Sequence, residues 1–264
     1  MKRVLSGVVF LPIFFAIVYL APTYTFFLLA TTGIFLGTRE FYTIASNIGV
    51  HCYQKTGMIL SFFLCLGIYF DPGIAVAILI FSLFAICVTW FVAGNNIKVS
   101  TDQIAYTFFG IAFVAGLLGH LILIRNLEGG SSLIFFLFAI VWGGDTAAYY
   151  GGRAFGKLPL AYSVSPNKTI EGSIFGLLGS LLVGAAANLV FVIDIPLNHC
   201  LIMSLLCGMI GQFGDLTESM MKRNAGIKDS GQLIPGHGGI LDRVDGLIFG
   251  GPLFYYYYAY LVVG

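Results

Sequence analysis

The chain has 264 residues, of which 58% are hydrophobic and 9% are charged, with a formal net charge of +1. Soluble domains carry about 25% charged residues, so this composition excludes an ordinary soluble fold and indicates an integral membrane protein. A net charge so close to zero also argues against binding of nucleic acid through a basic surface. The five cysteines contain no Cys-x-x-Cys pair, and we predict neither a disulfide framework nor a zinc site.

Continuous apolar runs of spanning or near-spanning length recur along the whole chain. They lie at about 4–20, 23–37, 56–70, 73–93, 104–124, 131–151, 170–193, 200–218 and 246–263. Only helices and closed barrels satisfy their backbone in lipid, and continuous rather than alternating runs argue against a barrel. We therefore predict an all-α polytopic membrane protein with about nine transmembrane helices. The runs 23–37 and 56–70 are short for a span of ~20 residues, which leaves the helix count open there.

The first run follows Lys2 and Arg3, and the junction after it lacks the small-residue site of a cleaved signal peptide. We expect a retained first span. With the N-terminus in the cytoplasm, twelve of the thirteen basic residues fall on the inside, and only Arg125 falls outside. The positive-inside rule therefore predicts a cytoplasmic N-terminus and a C-terminus on the outside.

Charge is concentrated in the second half of the chain, where 15 of the 25 charged residues lie between Asp145 and Asp245. We therefore expect the chemistry to lie there. The predicted division is into N-terminal transmembrane helices (1–140) and a C-terminal catalytic region (141–264) with long cytoplasmic loops at 152–169 and 219–245.

The segment 215–246 interleaves carboxylates with cations and glycines. It contains Asp215, Glu218, Asp229, Asp242, Asp245, Lys222, Arg223, Lys228, Arg243, Gly231, Gly236, Gly238 and Gly239. This mixture suits a polyphosphate with its metal, because carboxylates hold Mg²⁺ while Lys and Arg neutralise phosphate charge. On a helix, Asp242 and Asp245 would share one face and could share one metal. A solvated topological loop is the alternative for any single charge, but it does not explain the whole set.

Asp145 and Asp215 each follow a glycine inside or at the end of an apolar run. A carboxylate at mid-membrane costs roughly 2.5–3.5 kcal/mol, and less near the interface. Such residues usually face a polar cavity and have a function. The alternative is an interfacial aspartate in contact with water.

The segment 145–173 contains Gly-x-x-x-x-Gly-Lys, from Gly151 to Lys157. Leu158 stands where a P-loop has Ser or Thr, and the segment follows a membrane helix instead of a strand, so we exclude a P-loop. A glycine-rich basic loop still suits phosphate. Ser165 or Thr169 could cap the following helix, whose N-terminus attracts anions, and capping alone remains the alternative.

The four histidines and Glu40 indicate less about function than the charged segments do. His237 could be a general acid or base or a phosphate donor, and the alternative is a turn residue. Glu40, His51, His120 and His199 are taken as structural.

These residues resemble the phosphatidate cytidylyltransferase family, also called CDP-diacylglycerol synthase. The family signature is matched by Ser219, Met221, Lys222-Arg223, Lys228-Asp229, Gly231, Ile234-Pro235, His237-Gly238-Gly239 and Asp242-Arg243-Val244-Asp245. The segments "DTAAYYGGRAFGK" and "SPNKTIEGS" also resemble family segments, but Asn167 stands where members often carry Lys, which shifts a phosphate contact to Lys168. The specific likeness covers about 142–250; before residue 140 it is one of hydropathy only.

The resemblance implies transfer of a cytidylyl group from CTP to phosphatidic acid, giving CDP-diacylglycerol and pyrophosphate in phospholipid biosynthesis. The implied metal is Mg²⁺ or Mn²⁺, held by Asp215, Asp242 and Asp245, with a monovalent cation such as K⁺ as a further candidate. The expected catalytic residues are these three aspartates with Lys222 and Arg223. The expected substrate-binding residues are Asp145, Ser165, Lys168, Lys228, Asp229, His237 and Arg243. His237 is expected to bind and not to act as a base, because a phosphate nucleophile is already ionised at neutral pH.

Other functional classes explain the sequence less well. A transporter should show two similar halves, whereas the charge here lies in one. The sequence lacks the pattern of a CDP-alcohol phosphotransferase, and a lipid kinase is set aside only by the family signature. We expect a bacterial inner-membrane protein with its active site facing the cytoplasm, and the resemblance implies a homodimer.

Overall fold

The computed structural model of the chain describes residues 12–93, 96–191, 195–233 and 238–264. The helices are α1 (described over 12–19), α2 (Thr23–Asn47), α3 (Gln54–Phe70), α4 (Ala75–Ala93), α5 (Ser100–Gly110), α6 (His120–Asn126), α7 (Gly130–Phe155), α8 (Ile170–Val190), α9 (Leu197–Asn224) and α10 (Leu241–Tyr257). Of the residues that the structure describes, 81% are helical, so the predicted all-α membrane class is confirmed. Lys2 and Arg3, on which the predicted orientation partly depends, lie outside the described residues.

Five stretches of the described chain are long and apolar enough to cross a membrane. They are Pro72–Ala93, Ile97–Asn126, Gly130–Phe155, Ile170–Val190 and Leu197–Asn224. The helix Gln54–Phe70 is apolar but shorter. The count of nine spans and the orientation of the termini therefore stay predictions.

Two predicted element boundaries differ from the structure. The segment 152–169 begins with the last turn of α7 and continues as an antiparallel hairpin of β1 (Pro159–Ala161) and β2 (Ser165–Thr169). The segment 219–245 is helical at both ends, because α9 continues to Asn224 and α10 already begins at Leu241. The non-helical part of each segment is thus shorter than predicted. The helices continue past the ends of their apolar runs, because helical hydrogen bonds do not require apolar side chains.

The chain divides into two compact units. The first is Met1–Asn126 with Met221–Arg243, and the second is Leu127–Met220 with Val244–Gly264. The division falls inside both α9 and α10. The predicted boundary near residue 140 separates regions by function and not by packing, and it stays a prediction.

Each unit has its own packing centre. In the first, the Tyr42 hydroxyl donates to the backbone oxygen of Thr107 at 2.8 Å, and the ring is fully buried. In the second, α7 and α8 pack through small residues, and the Ser180 hydroxyl donates to the Ile140 oxygen at 3.1 Å. This close packing is consistent with a membrane interior, where small residues let helices approach.

Candidate functional site

Glycines bring α9 and α10 into close contact within the second unit. A methyl group on Gly214 would collide with the backbone oxygen of Asp245, and one on Gly211 would lie 3.5 Å from the Gly246 oxygen. The two helix backbones therefore touch at this point. Asp215 directly follows one of these glycines and Asp245 directly precedes another, so the contact places both aspartates where the helices meet.

Asp215 pairs with a cation supplied by the hairpin. Its Oδ2 accepts from the Lys168 ammonium in β2, and its Oδ1 accepts from the Ser219 hydroxyl at 3.3 Å. The start of α8 fastens the same hairpin, because Glu171 Oε2 accepts from the backbone N–H of Lys157 at 3.0 Å and of Leu158 at 3.2 Å. The fold thus holds Lys168 beside α9.

Negative charge outweighs positive charge around this pair. Asp245 interacts electrostatically with Asp215, Glu218 and Asp145, and Asp145 also interacts with Asp215 and Lys168. Glu218 is fully buried. Glu218 was part of the charged segment seen in the sequence, but it was not assigned a role. The cluster therefore contains four carboxyl groups, and Lys168 interacts with two of them, Asp215 and Asp145.

Thr169 caps α8. Its Oγ1 accepts from the backbone N–H of Gly172 at 3.1 Å, which is the hydrogen bond expected of an N-cap residue. Ser165 instead lies in β2, at the position that pairs with Ala161. Of the two candidate caps, the structure therefore shows Thr169 as the cap. Anion binding at this helix start and a substrate contact of Ser165 stay predictions.

In the first unit, Lys222 and Asp242 form an ion pair with 2.5 Å between Nζ and Oδ1. Their side chains are only 9% and 7% exposed. The other carboxylate oxygen of Asp242 accepts from the backbone N–H of Ser230 at 2.9 Å, from the Ser230 hydroxyl at 3.0 Å and from the Gly239 N–H at 2.8 Å. Asp242 therefore ties the end of α9 to the loop before α10.

These contacts also set the charge state of Asp242. Burial raises the pKa of this carboxyl, but the hydrogen bond from Lys222 and those from the Gly239 and Ser230 amides together lower it below its ordinary value. The carboxylate is thus ionised at neutral pH. Gly238 adopts a positive φ of 84°, and a methyl group there would lie 2.6 Å from Asp242 Oδ2, which explains a glycine at this position.

Glu40 is a residue that the sequence interpretation missed. It is buried in α2, and its carboxylate accepts from the backbone N–H groups of Ile240 and Leu241 and from the Ser230 hydroxyl. The available signal was an acidic residue shortly after the apolar run 23–37, next to Arg39. Its partner in the loop could not be identified without the tertiary structure.

The other predicted catalytic and substrate-binding residues of the first unit lie at its surface. Arg223, Lys228, Asp229 and Arg243 are exposed. The Arg223 guanidinium also donates to the Ile227 oxygen at 3.1 Å, which fixes its stem at the end of α9. Exposed cations suit the binding of a charged soluble ligand.

The model of the family described as "Cytidylyltransferase family" matches residues 1–261. This chain belongs to the cytidylyltransferase family. It is 32% identical to a phosphatidate cytidylyltransferase of Synechocystis over 290 residues, covering 99% of this chain and 97% of that relative. A phosphatidate cytidylyltransferase of Bacillus subtilis is 37% identical over 60% of this chain and 59% of its own length, and one of Haemophilus influenzae is 45% identical over 50% and 48%.

The family membership that the signature predicted is thereby confirmed, and so is the prediction that the protein is an enzyme. His237, which the signature includes, lies outside the described residues, as do Ile234 and Pro235. Within the described ranges, no group of three or more His, Cys, Asp or Glu side chains has the spacing of a metal site. The assignment of Mg²⁺ or Mn²⁺ therefore stays a prediction.

Proposed function

We propose that this cytidylyltransferase transfers the cytidylyl group of CTP to phosphatidic acid, producing CDP-diacylglycerol and pyrophosphate. The observation that carries the proposal is the signature at residues 219–245 in a chain matched by the family model along 1–261. The apolar helices support a reaction at a membrane, where a lipid substrate is available.

The chemistry requires charge stabilisation more than proton transfer. A phosphate oxygen of phosphatidic acid attacks the α-phosphorus of CTP, the bond from that phosphorus to the bridging oxygen breaks, and pyrophosphate leaves. The nucleophile is already ionised, so binding, orientation and charge neutralisation supply most of the rate enhancement. Accordingly, we assign no general base among the residues of this chain.

We propose the carboxyl cluster of the second unit as the site of the divalent cation on the type of its ligand atoms alone, since its described side chains do not have the spacing of a formed metal site. Asp145, Asp215 and Asp245, with Glu218 near Asp245, offer the hard oxygen ligands that Mg²⁺ and Mn²⁺ prefer. We propose that Asp215 and Asp245 hold Mg²⁺ or Mn²⁺ and that Asp145 lines the same polar region. When bound, the metal supplies Lewis-acid stabilisation of the developing pyrophosphate charge. A further K⁺ site stays a prediction without a described ligand set.

Asp242, like Asp215, already accepts hydrogen bonds from protein donors at both carboxylate oxygens, and it accepts more of them. Its Oδ1 accepts from Lys222 and its Oδ2 accepts from Ser230 and Gly239, so coordination would have to replace protein donors. We retain Asp242 as a residue essential for turnover. Its described contacts favour holding the loop and Lys222 in place.

The basic residues are proposed to bind phosphates. Lys168 pairs with Asp215, and Arg223, Lys228 and Arg243 lie at the surface, where a soluble nucleotide would arrive. Lys222, being paired with Asp242, would contribute its charge from a buried position. Ser165, Asp229 and His237 complete the substrate-binding set predicted from the signature.

The membrane arrangement is proposed on the same basis. We propose that the chain lies in a bacterial inner membrane and crosses it about nine times. The uneven distribution of basic residues supports an N-terminus and an active site on the cytoplasmic side and a C-terminus outside. The named relatives are bacterial, which supports the location. A homodimer remains an expectation from the family.

The test uses purified protein in detergent with phosphatidic acid and Mg²⁺, supplied in turn with labelled CTP and labelled ATP. CDP-lipid and pyrophosphate from CTP alone are the expected products. ADP and a phosphorylated lipid from ATP would instead identify a lipid kinase. No turnover with either nucleotide would contradict the proposal and make solute flux the next measurement.

A further inference from the structure

The first half of the chain contributes one buried carboxylate to the loop before α10. Glu40 lies in α2, within the region 1–140 to which the sequence assigned no chemistry. A buried carboxylate is costly unless donors surround it, so its partners indicate what it is for. All three of its described partners belong to the signature segment or border it.

Glu40 caps α10 from a distant helix. Its Oε1 accepts from the Ile240 N–H and its Oε2 accepts from the Leu241 N–H, both at 3.0 Å. The first N–H groups of a helix have no partner within the helix, and the helix dipole favours negative charge there. A carboxylate about 200 residues away in sequence thus fixes where α10 begins.

The same carboxylate connects to Asp242 through Ser230. The Ser230 hydroxyl lies 3.0 Å from Glu40 Oε2 and 3.0 Å from Asp242 Oδ2. A hydroxyl has one proton to donate, so the two carboxylates share it. Moving Glu40 would therefore disturb Ser230 and, through it, the position of Asp242.

Two glycines of this segment make room for Glu40. A methyl group on Gly231 would lie 2.6 Å from Glu40 Oε1, and one on Gly239 would lie 2.5 Å from Glu40 Oε2. Both contacts are shorter than van der Waals separation allows. The segment is therefore shaped to admit this carboxylate as well as that of Asp242.

We infer that Glu40 is a positioning residue for cytidylyl transfer. It holds Ser230 and the start of α10, and thereby sets the position of Asp242 and its Lys222 partner. It acts through these groups and not on substrate. The inference rests on the proposed function, and it adds a requirement located outside the segment that resembles the family signature.

The experiment compares three variants of the full chain in detergent. Glu40→Gln keeps the length but loses the charge, and Glu40→Asp keeps the charge but shortens the reach. Thr38→Val is the matched control, because Thr38 is buried in the same helix and its hydroxyl donates to the Ile34 oxygen at 2.8 Å. It removes a buried hydrogen bond of α2 that does not involve the loop.

The first readout is amide hydrogen exchange of Ser230, Gly239, Ile240 and Leu241 without substrate. We expect faster exchange at these amides in Glu40→Gln and Glu40→Asp and wild-type exchange in Thr38→Val. Unchanged exchange in both Glu40 variants would overturn the inference. Where a Glu40 variant does not accumulate, Ser230→Ala removes the shared hydroxyl alone and is expected to speed exchange at the same amides.

The second readout is CDP-lipid formation with kcat and KM measured separately. A lost positioning contact is expected to lower kcat/KM about 10–100-fold, mostly through kcat, while Thr38→Val stays within about two-fold of wild type. Glu40→Gln with wild-type kcat and KM would overturn the inference. A wild-type protein that makes no CDP-lipid would overturn the proposed function and with it this catalytic role, whereas the exchange data would still report whether Glu40 holds the loop.

Discussion

Lys222 and Asp242 form a buried ion pair across the loop that joins α9 to α10, with 2.5 Å between Nζ and Oδ1. Removing one partner of a buried pair leaves an uncompensated charge and typically costs about 3–5 kcal/mol. We therefore expect Lys222→Met to lower the unfolding temperature in detergent and the double variant Lys222→Met/Asp242→Asn to recover most of the loss.

The same variants should show that loss of turnover does not follow from loss of stability. Asp242→Asn is expected to insert into membranes but to lose nearly all CDP-lipid formation, and the double variant should remain inactive although it is stable. Wild-type turnover of Asp242→Asn in detergent would exclude Asp242 from the active site.

Metal binding is best tested at Asp245. Asp245 lies among Asp145, Asp215 and Glu218, so loss of its charge should weaken binding of a divalent cation. We expect Asp245→Asn to raise the Mg²⁺ concentration needed for half-maximal turnover at least about 10–100-fold. The control is Asp102→Asn at an exposed site in α5, which should leave the Mg²⁺ requirement unchanged. An unaltered Mg²⁺ requirement in Asp245→Asn would remove Asp245 from the metal set.

Thr169 offers a test of helix capping against anion binding. Thr169→Val removes the acceptor for the Gly172 N–H and should destabilise the protein by about 1 kcal/mol in thermal unfolding, while Thr169→Ser should preserve the cap. The KM for CTP should not change in either variant. A raised KM in Thr169→Val at unchanged stability would show that this residue binds the nucleotide instead.

Gly214 should tolerate no side chain. Gly214→Ala would push a methyl group against the Asp245 backbone oxygen, and such overpacking typically costs about 1–3 kcal/mol. Gly33 in α2 is the matched control because no atom lies within 4 Å of a methyl group built there. Gly33→Ala should therefore gain roughly 0.5–1 kcal/mol from helix propensity. Thermal unfolding of the two variants in the same detergent would show opposite shifts, and a stabilising Gly214→Ala would contradict the described contact.

Several features followed from the sequence without any coordinates. Composition alone places the chain in a membrane, because a core cannot hide so many apolar residues from water. The spacing of Ser219, Lys222 and Asp242 with their glycines predicted the family, which the family model confirmed. The sequence also indicated Ser165 and Thr169 as the candidate caps of α8, and the structure shows the capping hydrogen bond at Thr169.

The tertiary structure decided which charges meet. Nothing in the sequence pairs Lys168 with Asp215 or Lys222 with Asp242, because these partners are separated by 47 and 20 residues and the connecting chain folds back. Glu40 is the clearest case, since its role depends on N–H groups about 200 residues further along the chain. Hydropathy is a local property of the sequence, and it determines the membrane class and the approximate positions of the helices. The role of a buried carboxylate depends instead on the distant hydrogen-bond donors that the fold brings to it.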